Sequence, residues 1–156
     1  MKEINTGTSA FIFQDINELS DVDKKLMQAA IKASRNAYAP YSGFSVGAAL
    51  LMEDDSIIIG NNQENAAYPS GLCAERVAMF AASANYKDEE MQKLAIYAAS
   101  ETTAQKQISP CGSCRQVLLE SETRQEEPIE VILMQRSGEI IVLDSAQNLL
   151  PFGFKR

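Results

Sequence analysis

Only three cysteines occur in the chain, at positions 73, 111 and 114, and there is no histidine. One opens the triplet Cys73-Ala74-Glu75, and the other two lie in Pro110-Cys111-Gly112-Ser113-Cys114. Three thiolates can hold a zinc ion and leave its fourth tetrahedral position open, whereas a structural zinc normally takes four protein ligands. If the cysteines act together, the fold must bring residue 73 beside residues 111 to 114. That requirement constrains the chain more than any other feature of its sequence.

The local pattern suits a metal site. Cys111 and Cys114 are three apart at a predicted helix start, so both sulfurs can face one point. Cys73 stands at the start of a second predicted helix. Helix N-termini carry partial positive charge, which favours the thiolate that zinc requires. Three thiolates on zinc sum to a formal charge of −1. One or both of Arg76 and Arg115, each next to a motif residue, are therefore expected to hydrogen-bond the thiolates and offset that charge. Glu75 can reach a water in the open position without binding the metal, and a carboxylate there can move a proton. The competing readings are a stabilising zinc knuckle completed by a carboxylate, or three buried thiols.

The 156 residues fit one domain, residues 1–156, able to bury a substantial core. A composition of 46% hydrophobic and 22% charged residues is that of a globular protein. The formal net charge of −7 argues against nucleic acid as a partner, because phosphate binding relies on clustered Lys and Arg. No apolar run reaches the ~20 residues of a membrane helix. The first residues lack the apolar core of a signal peptide. A cytoplasmic, reducing location is the expectation, where clustered cysteines read as metal ligands or reactive thiols.

Neither repeats nor interdomain linkers are visible. Ala10 to Phe13 is a short apolar piece, a candidate edge strand. Ser20 with Asp23 forms a helix-start signal. Val22, Leu26, Ala30, Ala33 and Ala37 then share one helical face, with Pro40 as the stop. Strands are expected at 45–52 and 56–60, joined by Glu53-Asp54-Asp55, a turn without glycine. Residues 61–71 read as a loop and 73–84 as a helix. A strand at 94–99, a helix at 112–120, strands at 129–134 and 139–143, and a short helix capped by Ser145 complete the order. This alternation predicts an α/β fold with helices on both faces of a mixed sheet.

The chain resembles the small homotetrameric cytidine deaminases. The resemblance runs from about Ala33 to Phe154. It rests on Ala39-Pro40-Tyr41-Ser42-Gly43-Phe44-Ser45-Val46-Gly47, on Asn62-Gln63-Glu64-Asn65, on the two cysteine motifs, and on Leu149-Leu150-Pro151 with Phe154. The C-x-E…P-C-x-x-C pattern is itself the signature of zinc nucleobase deaminases. The resemblance implies a three-layer cytidine-deaminase-like fold with a five-stranded mixed sheet. Residues 1–19 depart from the family's short forms as an N-terminal extension, whose apolar content suggests packing on the core or on a subunit interface. It implies hydrolytic, zinc-dependent deamination of cytidine and 2′-deoxycytidine in pyrimidine salvage.

Roles follow by the same resemblance. Cys73, Cys111 and Cys114 would bind zinc, and Glu75 would carry protons. Asn62 and Glu64 would hold the sugar hydroxyl, and Phe44 would pack on the pyrimidine. The Ala74 amide would contact the ring carbonyl and the Ser109 carbonyl the amine. Phe154 would reach a neighbouring subunit's site. A deaminase of a cytosine antibiotic such as blasticidin S shares the cysteine motifs, but Asn62-x-Glu64 favours a nucleoside. A zinc-stabilised binding or redox protein is the non-enzymatic alternative, and Glu75 counts against it.

Overall fold

The computed structural model describes residues 1–100 and 107–155. Among the described residues, six strands form one sheet: β1 (Phe11–Phe13), β2 (Phe44–Met52), β3 (Ile57–Asn61), β4 (Met91–Ser100), β5 (Glu130–Met134) and β6 (Ile140–Leu143). Their order across the sheet is β1-β6-β5-β4-β2-β3. Only the β4–β5 pair is parallel, with Ile96 opposite Leu133. Three α-helices accompany the sheet: α1 (Asp21–Ser34), α2 (Ala74–Asn85) and α3 (Gly112–Gln125).

The expected five-stranded sheet is therefore corrected to six. The additional strand is β1, pairing antiparallel with β6 from Phe11 opposite Val142 to Phe13 opposite Ile140. An uncovered β6 would present unpaired backbone groups, and β1 satisfies them. Phe13, Ile16 and Leu19 continue from this strand into the core beneath α1. Residues 1–10 are exposed, although the Thr8 hydroxyl donates to the Asn148 carbonyl at 3.1 Å.

Ser20 caps α1 as expected. Its hydroxyl accepts from the Asp23 N–H at 3.1 Å and donates to the Asp23 carboxylate. Two details differ. Val22 is 52% exposed, because it lies in the first turn outside the buried stripe of Leu26, Ala30 and Ala33. The helix also ends at Ser34, well before Pro40. There the Ser34 hydroxyl turns back to the Ile31 carbonyl, and the next two N–H groups bond only three residues back. Asp55 takes the left-handed φ of 65° in the hairpin turn, the task usually given to glycine.

Two apolar layers sandwich the sheet. One joins α1 to Ala49, Leu51, Ala95 and Ile132. The other joins α2 and α3 to Leu50, Met52, Leu94, Ile96 and Leu133. Alternation along β2 sends successive residues to opposite layers. Two glycines let helices approach closely. A Cβ on Gly47 would lie 2.0 Å from the Ala30 carbonyl oxygen of α1, and one on Gly60 would lie 2.3 Å from that of Ala74 in α2. The second contact fixes the N-terminal end of α2 against β3. Among the described residues, no helix is long and apolar enough to cross a membrane.

Candidate metal and nucleoside site

The N-termini of α2 and α3 converge, and cysteines occupy both N-cap positions. Neither Cys73 nor Cys111 uses its side chain to cap its helix. Both sulfurs are therefore free of the task that Ser, Asp or Asn performs at such positions. Cys114 lies one turn into α3 and is buried. The three sulfurs all lie within 4.8 Å of one another. Cys73 and Cys111 Sγ atoms are 3.7 Å apart, and those of Cys111 and Cys114 3.5 Å apart. Tetrahedral zinc with Zn–S near 2.3 Å places its sulfurs roughly 3.8 Å apart, so the donor set fits this ion. The thiol of Cys73 is pulled down to about 5, first by hydrogen bonding from Cys114 and then by Arg76. The same contact, together with burial, pushes Cys114 up. Three thiols this close share protons reluctantly, and a cation displaces them.

Glu75 is only 5% exposed. Burial pushes its carboxyl above the ordinary carboxylate range, and the charge of Cys73 adds to the shift, although its own backbone N–H opposes it. A carboxyl so placed keeps its proton to higher pH than a solvated carboxylate does.

The two arginines divide. Arg76 Nη2 lies 3.8 Å from Cys73 Sγ, and its buried Nε has no partner among the described residues. Of the two, Arg76 is the one beside a thiolate, and Arg115 points elsewhere. Its donors go to the Pro110 carbonyl, the Leu149 carbonyl and the Ser109 hydroxyl, at 2.9, 3.0 and 2.9 Å. From α3 it ties the cysteine-bearing loop to the C-terminal segment.

A cavity of about 450 Å³ opens beside the sulfurs. Phe44, Asn62, Glu64, Cys73, Glu75 and Ser109 all line it, so residues far apart in sequence meet there. Ala74 is buried at the first position of α2. A larger hollow of about 810 Å³, lined in part by Ser45, Tyr97, Gln135 and Arg136, has neither acid nor thiol in its wall. Chemistry therefore belongs to the smaller cavity.

Asn62 is built into the wall. Its side-chain oxygen accepts from the Val46 N–H at 2.8 Å, and its amide donates to the Phe44 carbonyl at 2.9 Å. One amide hydrogen remains for a ligand. The Glu64 carboxylate accepts from the Tyr41 and Ser42 N–H groups at 2.9 and 3.3 Å and from the Ser42 hydroxyl. The Ser42 hydroxyl, followed by Tyr41, holds its pKa below the ordinary value. A carboxylate offers about four lone-pair sites, so one is still open.

Phe154 is absent from this wall. Its ring is 73% exposed, while its backbone N–H and carbonyl pair with the Gln116 side chain at 3.1 and 2.8 Å. Sequence reasoning missed Ser42 as the partner of Glu64, although it quoted the residue. It also missed Gln135, whose side chain bonds both backbone groups of Ile108 just ahead of the cysteine loop. No local pattern could reveal a contact between residues 27 apart.

Comparison with known proteins agrees with this geometry. Residues 20–126 match the family described as the cytidine and deoxycytidylate deaminase zinc-binding region. A cytidine deaminase of Halalkalibacterium halodurans is 47% identical over 95 residues, covering 61% of this chain and 68% of that protein. One from Mycobacterium tuberculosis is 37% identical over 127 residues, covering 79% of this chain and 90% of the relative. The crystal structure of cytidine deaminase from Burkholderia pseudomallei superposes with a TM-score of 0.72 at 41% identity, covering 83% of this chain and 97% of that one. With three sulfurs at zinc spacing beside a buried glutamate, and a match over this length, the chain belongs to the zinc-binding cytidine and deoxycytidylate deaminase family.

Proposed function

We propose that the protein hydrolyses cytidine and 2′-deoxycytidine to uridine and 2′-deoxyuridine with release of ammonia. The observation that carries this reading is one cavity wall that holds the zinc-spaced sulfurs, buried Glu75, and the Asn62–Glu64 pair. Cys73, Cys111 and Cys114 hold the zinc, which when bound supplies a nucleophile from water near neutral pH. Glu75 takes one proton from the attacking water and delivers it to the ring nitrogen beside the reacting carbon, and then carries the proton left on the added oxygen to the departing amine. The carbon–oxygen bond forms first, and the carbon–nitrogen bond breaks afterwards as the new carbonyl forms and ammonia leaves. The burial of Glu75 in the same cavity wall as the sulfurs supports this role.

Phe44 packs on the pyrimidine, the Ala74 N–H meets the ring carbonyl, and the Ser109 carbonyl accepts from the amine. Asn62 uses its spare amide hydrogen, and Glu64 its spare lone pair, on the sugar hydroxyl. Arg76 offsets the negative charge of the thiolates, an assignment supported by its 3.8 Å approach to Cys73. Arg115 acts by holding the loop ahead of Cys111. The sugar contacts favour a nucleoside over a cytosine antibiotic.

The whole chain acts as one domain in this reading, with the extension of residues 1–19 joined to it through residues 11–19. Exposed Phe152 and Phe154 support a homotetramer in which Phe154 meets a neighbouring subunit. Pyrimidine salvage in the cytoplasm is the accompanying biological role. Incubation of zinc-replete protein with cytidine should give uridine and ammonia in equal amounts. Zinc-loaded, folded protein that leaves both nucleosides unchanged would overturn the proposal.

A further inference from the structure

Ser109 sits between two residues whose backbone is gripped from opposite sides. On one side stands Gln135, at the end of β5. Its side-chain oxygen accepts from the Ile108 N–H at 2.9 Å, and its amide donates to the Ile108 carbonyl at 3.1 Å. A longer contact of 3.4 Å runs from the same amide to the Leu133 carbonyl. The side chain thus imitates an antiparallel strand, satisfying both backbone groups of a residue that is itself buried. Gln135 is only 9% exposed, and a buried amide is costly unless it is hydrogen-bonded. Its own backbone is fixed by the β5–β6 turn, through Glu139 at 2.7 Å and Gly138 at 3.1 Å. The grip is therefore anchored in the sheet.

On the other side stands Arg115 of α3, which takes the Pro110 carbonyl and the Ser109 hydroxyl. The carbonyls of Ile108 and Pro110 are both engaged. That of Ser109 is taken by neither clamp, and Ser109 lines the cavity.

We propose that Gln135 is a positioning residue which, opposite Arg115, holds residues 108–110 so that the Ser109 carbonyl is presented to the exocyclic amine of the substrate. The inference rests on the deaminase reading above and deepens it. An acceptor aimed in advance at a reacting group spends no reorganisation when the substrate arrives. Apolar replacement of Gln135 leaves both backbone groups of Ile108 buried without partners, and the loop relaxes.

Gln135→Met, which keeps the side-chain length, tests this against wild type at matched zinc content and with the thermal midpoint recorded. Two quantities are compared: kcat/KM for cytidine, and the inhibition constant of pyrimidin-2-one ribonucleoside, which lacks the amine. A small misplacement of a substrate-contacting group should lower kcat/KM by about tenfold to a hundredfold. The inhibition constant should stay within about threefold, since the lost contact involves only the amine. Parallel losses in both quantities would overturn the proposal, because Gln135 would then only support the fold or the metal. No loss in either would overturn it equally. Gln135→Glu provides a second variant if the first does not fold. It keeps an acceptor for the Ile108 N–H but loses the donor, and should lose cytidine activity selectively; wild-type behaviour would again contradict the clamp. Wild-type protein inert toward cytidine would bring down the deaminase reading and the clamp together. Active wild type with unselective variants would bring down the clamp alone.

Discussion

The two faces of the sheet are built alike and used differently. On each face a helix packs so closely that a strand glycine is required: Gly47 against α1 and Gly60 against α2. The α1 face carries an ion cluster in which Lys93 Nζ reaches Asp23 at 2.8 Å and Glu130 at 2.9 Å. That cluster joins α1, β4 and β5 through one ammonium shared by two carboxylates. On the opposite face two helix N-termini converge, and their cap positions hold cysteines that leave the caps unmade. Burial there isolates Glu75 and raises its pKa. The comparison teaches that close helix–sheet packing is common to both layers. Reactivity arises where helix ends, rather than helix flanks, meet the sheet edge.

The sharpest way to break the comparison is Cys114→Ala. Removing the buried member of the sulfur cluster should abolish bound zinc, measured by metal analysis, and reduce deamination to background. Retained stoichiometric zinc would mean that the cluster is not the metal site.

Next come the two glycines as a matched pair. Gly60→Ala forces the start of α2 away from β3, and overpacking of this kind costs about 1–3 kcal/mol. It should also displace Cys73 and Glu75, so kcat per bound zinc should fall even at temperatures where the protein is folded. Gly47→Ala should cost a similar amount by denaturant unfolding while kcat per bound zinc in the folded fraction is retained. Equal effects of both on kcat would erase the distinction between the faces.

Glu64 gives a smaller effect. Glu64→Gln should raise KM by about tenfold to a hundredfold, the range for a hydrogen bond to a charged group, with kcat less affected. The Ser42 hydroxyl and the Tyr41 N–H hold its folded pKa below the ordinary glutamate value. Its stabilisation of the Tyr41–Ser42 turn is therefore complete above the unfolded pKa and is lost as pH falls through the lower folded value. The contribution of Glu64 to KM should be flat above about pH 5 and fade only in stronger acid. A Glu64-dependent rise in KM between pH 6 and 8, on the order of tenfold or more, would contradict this.

Smallest is Lys93→Met. The side chain is partly solvated, so loss of the cluster should cost only about 1 kcal/mol in unfolding free energy, with kcat and KM unchanged.

Much of the site was legible because metal ligation imposes local spacing. Cys73-x-Glu75 and Cys111-x-x-Cys114 state both the donors and the helix starts that carry them. Ser20 and Asp23 announced α1 for an equally local reason. What escaped depends on contacts between distant segments. Val22 has helical periodicity but sits in the first turn, beyond the packed stripe. Pro40 suggested the end of α1, whereas the backward bond of Ser34 and the tightened last turn end it earlier. The apolar piece at Ala10 to Phe13 announced β1 as an edge strand, but not that β6 is the strand it pairs with. Arg115 stands next to Cys114 in sequence, yet its guanidinium serves three groups outside the sulfur cluster. Gln135 looks like an ordinary hairpin residue until its amide is seen to hold Ile108.

The most direct test of the account is cytidine turnover by wild type and Glu75→Ala at equal, measured zinc content. The account predicts uridine and ammonia from wild type, and a loss of at least about a hundredfold in kcat in the variant, the scale of a lost general acid–base. Comparable turnover by both proteins would contradict the role given to Glu75 and the mechanism built on it.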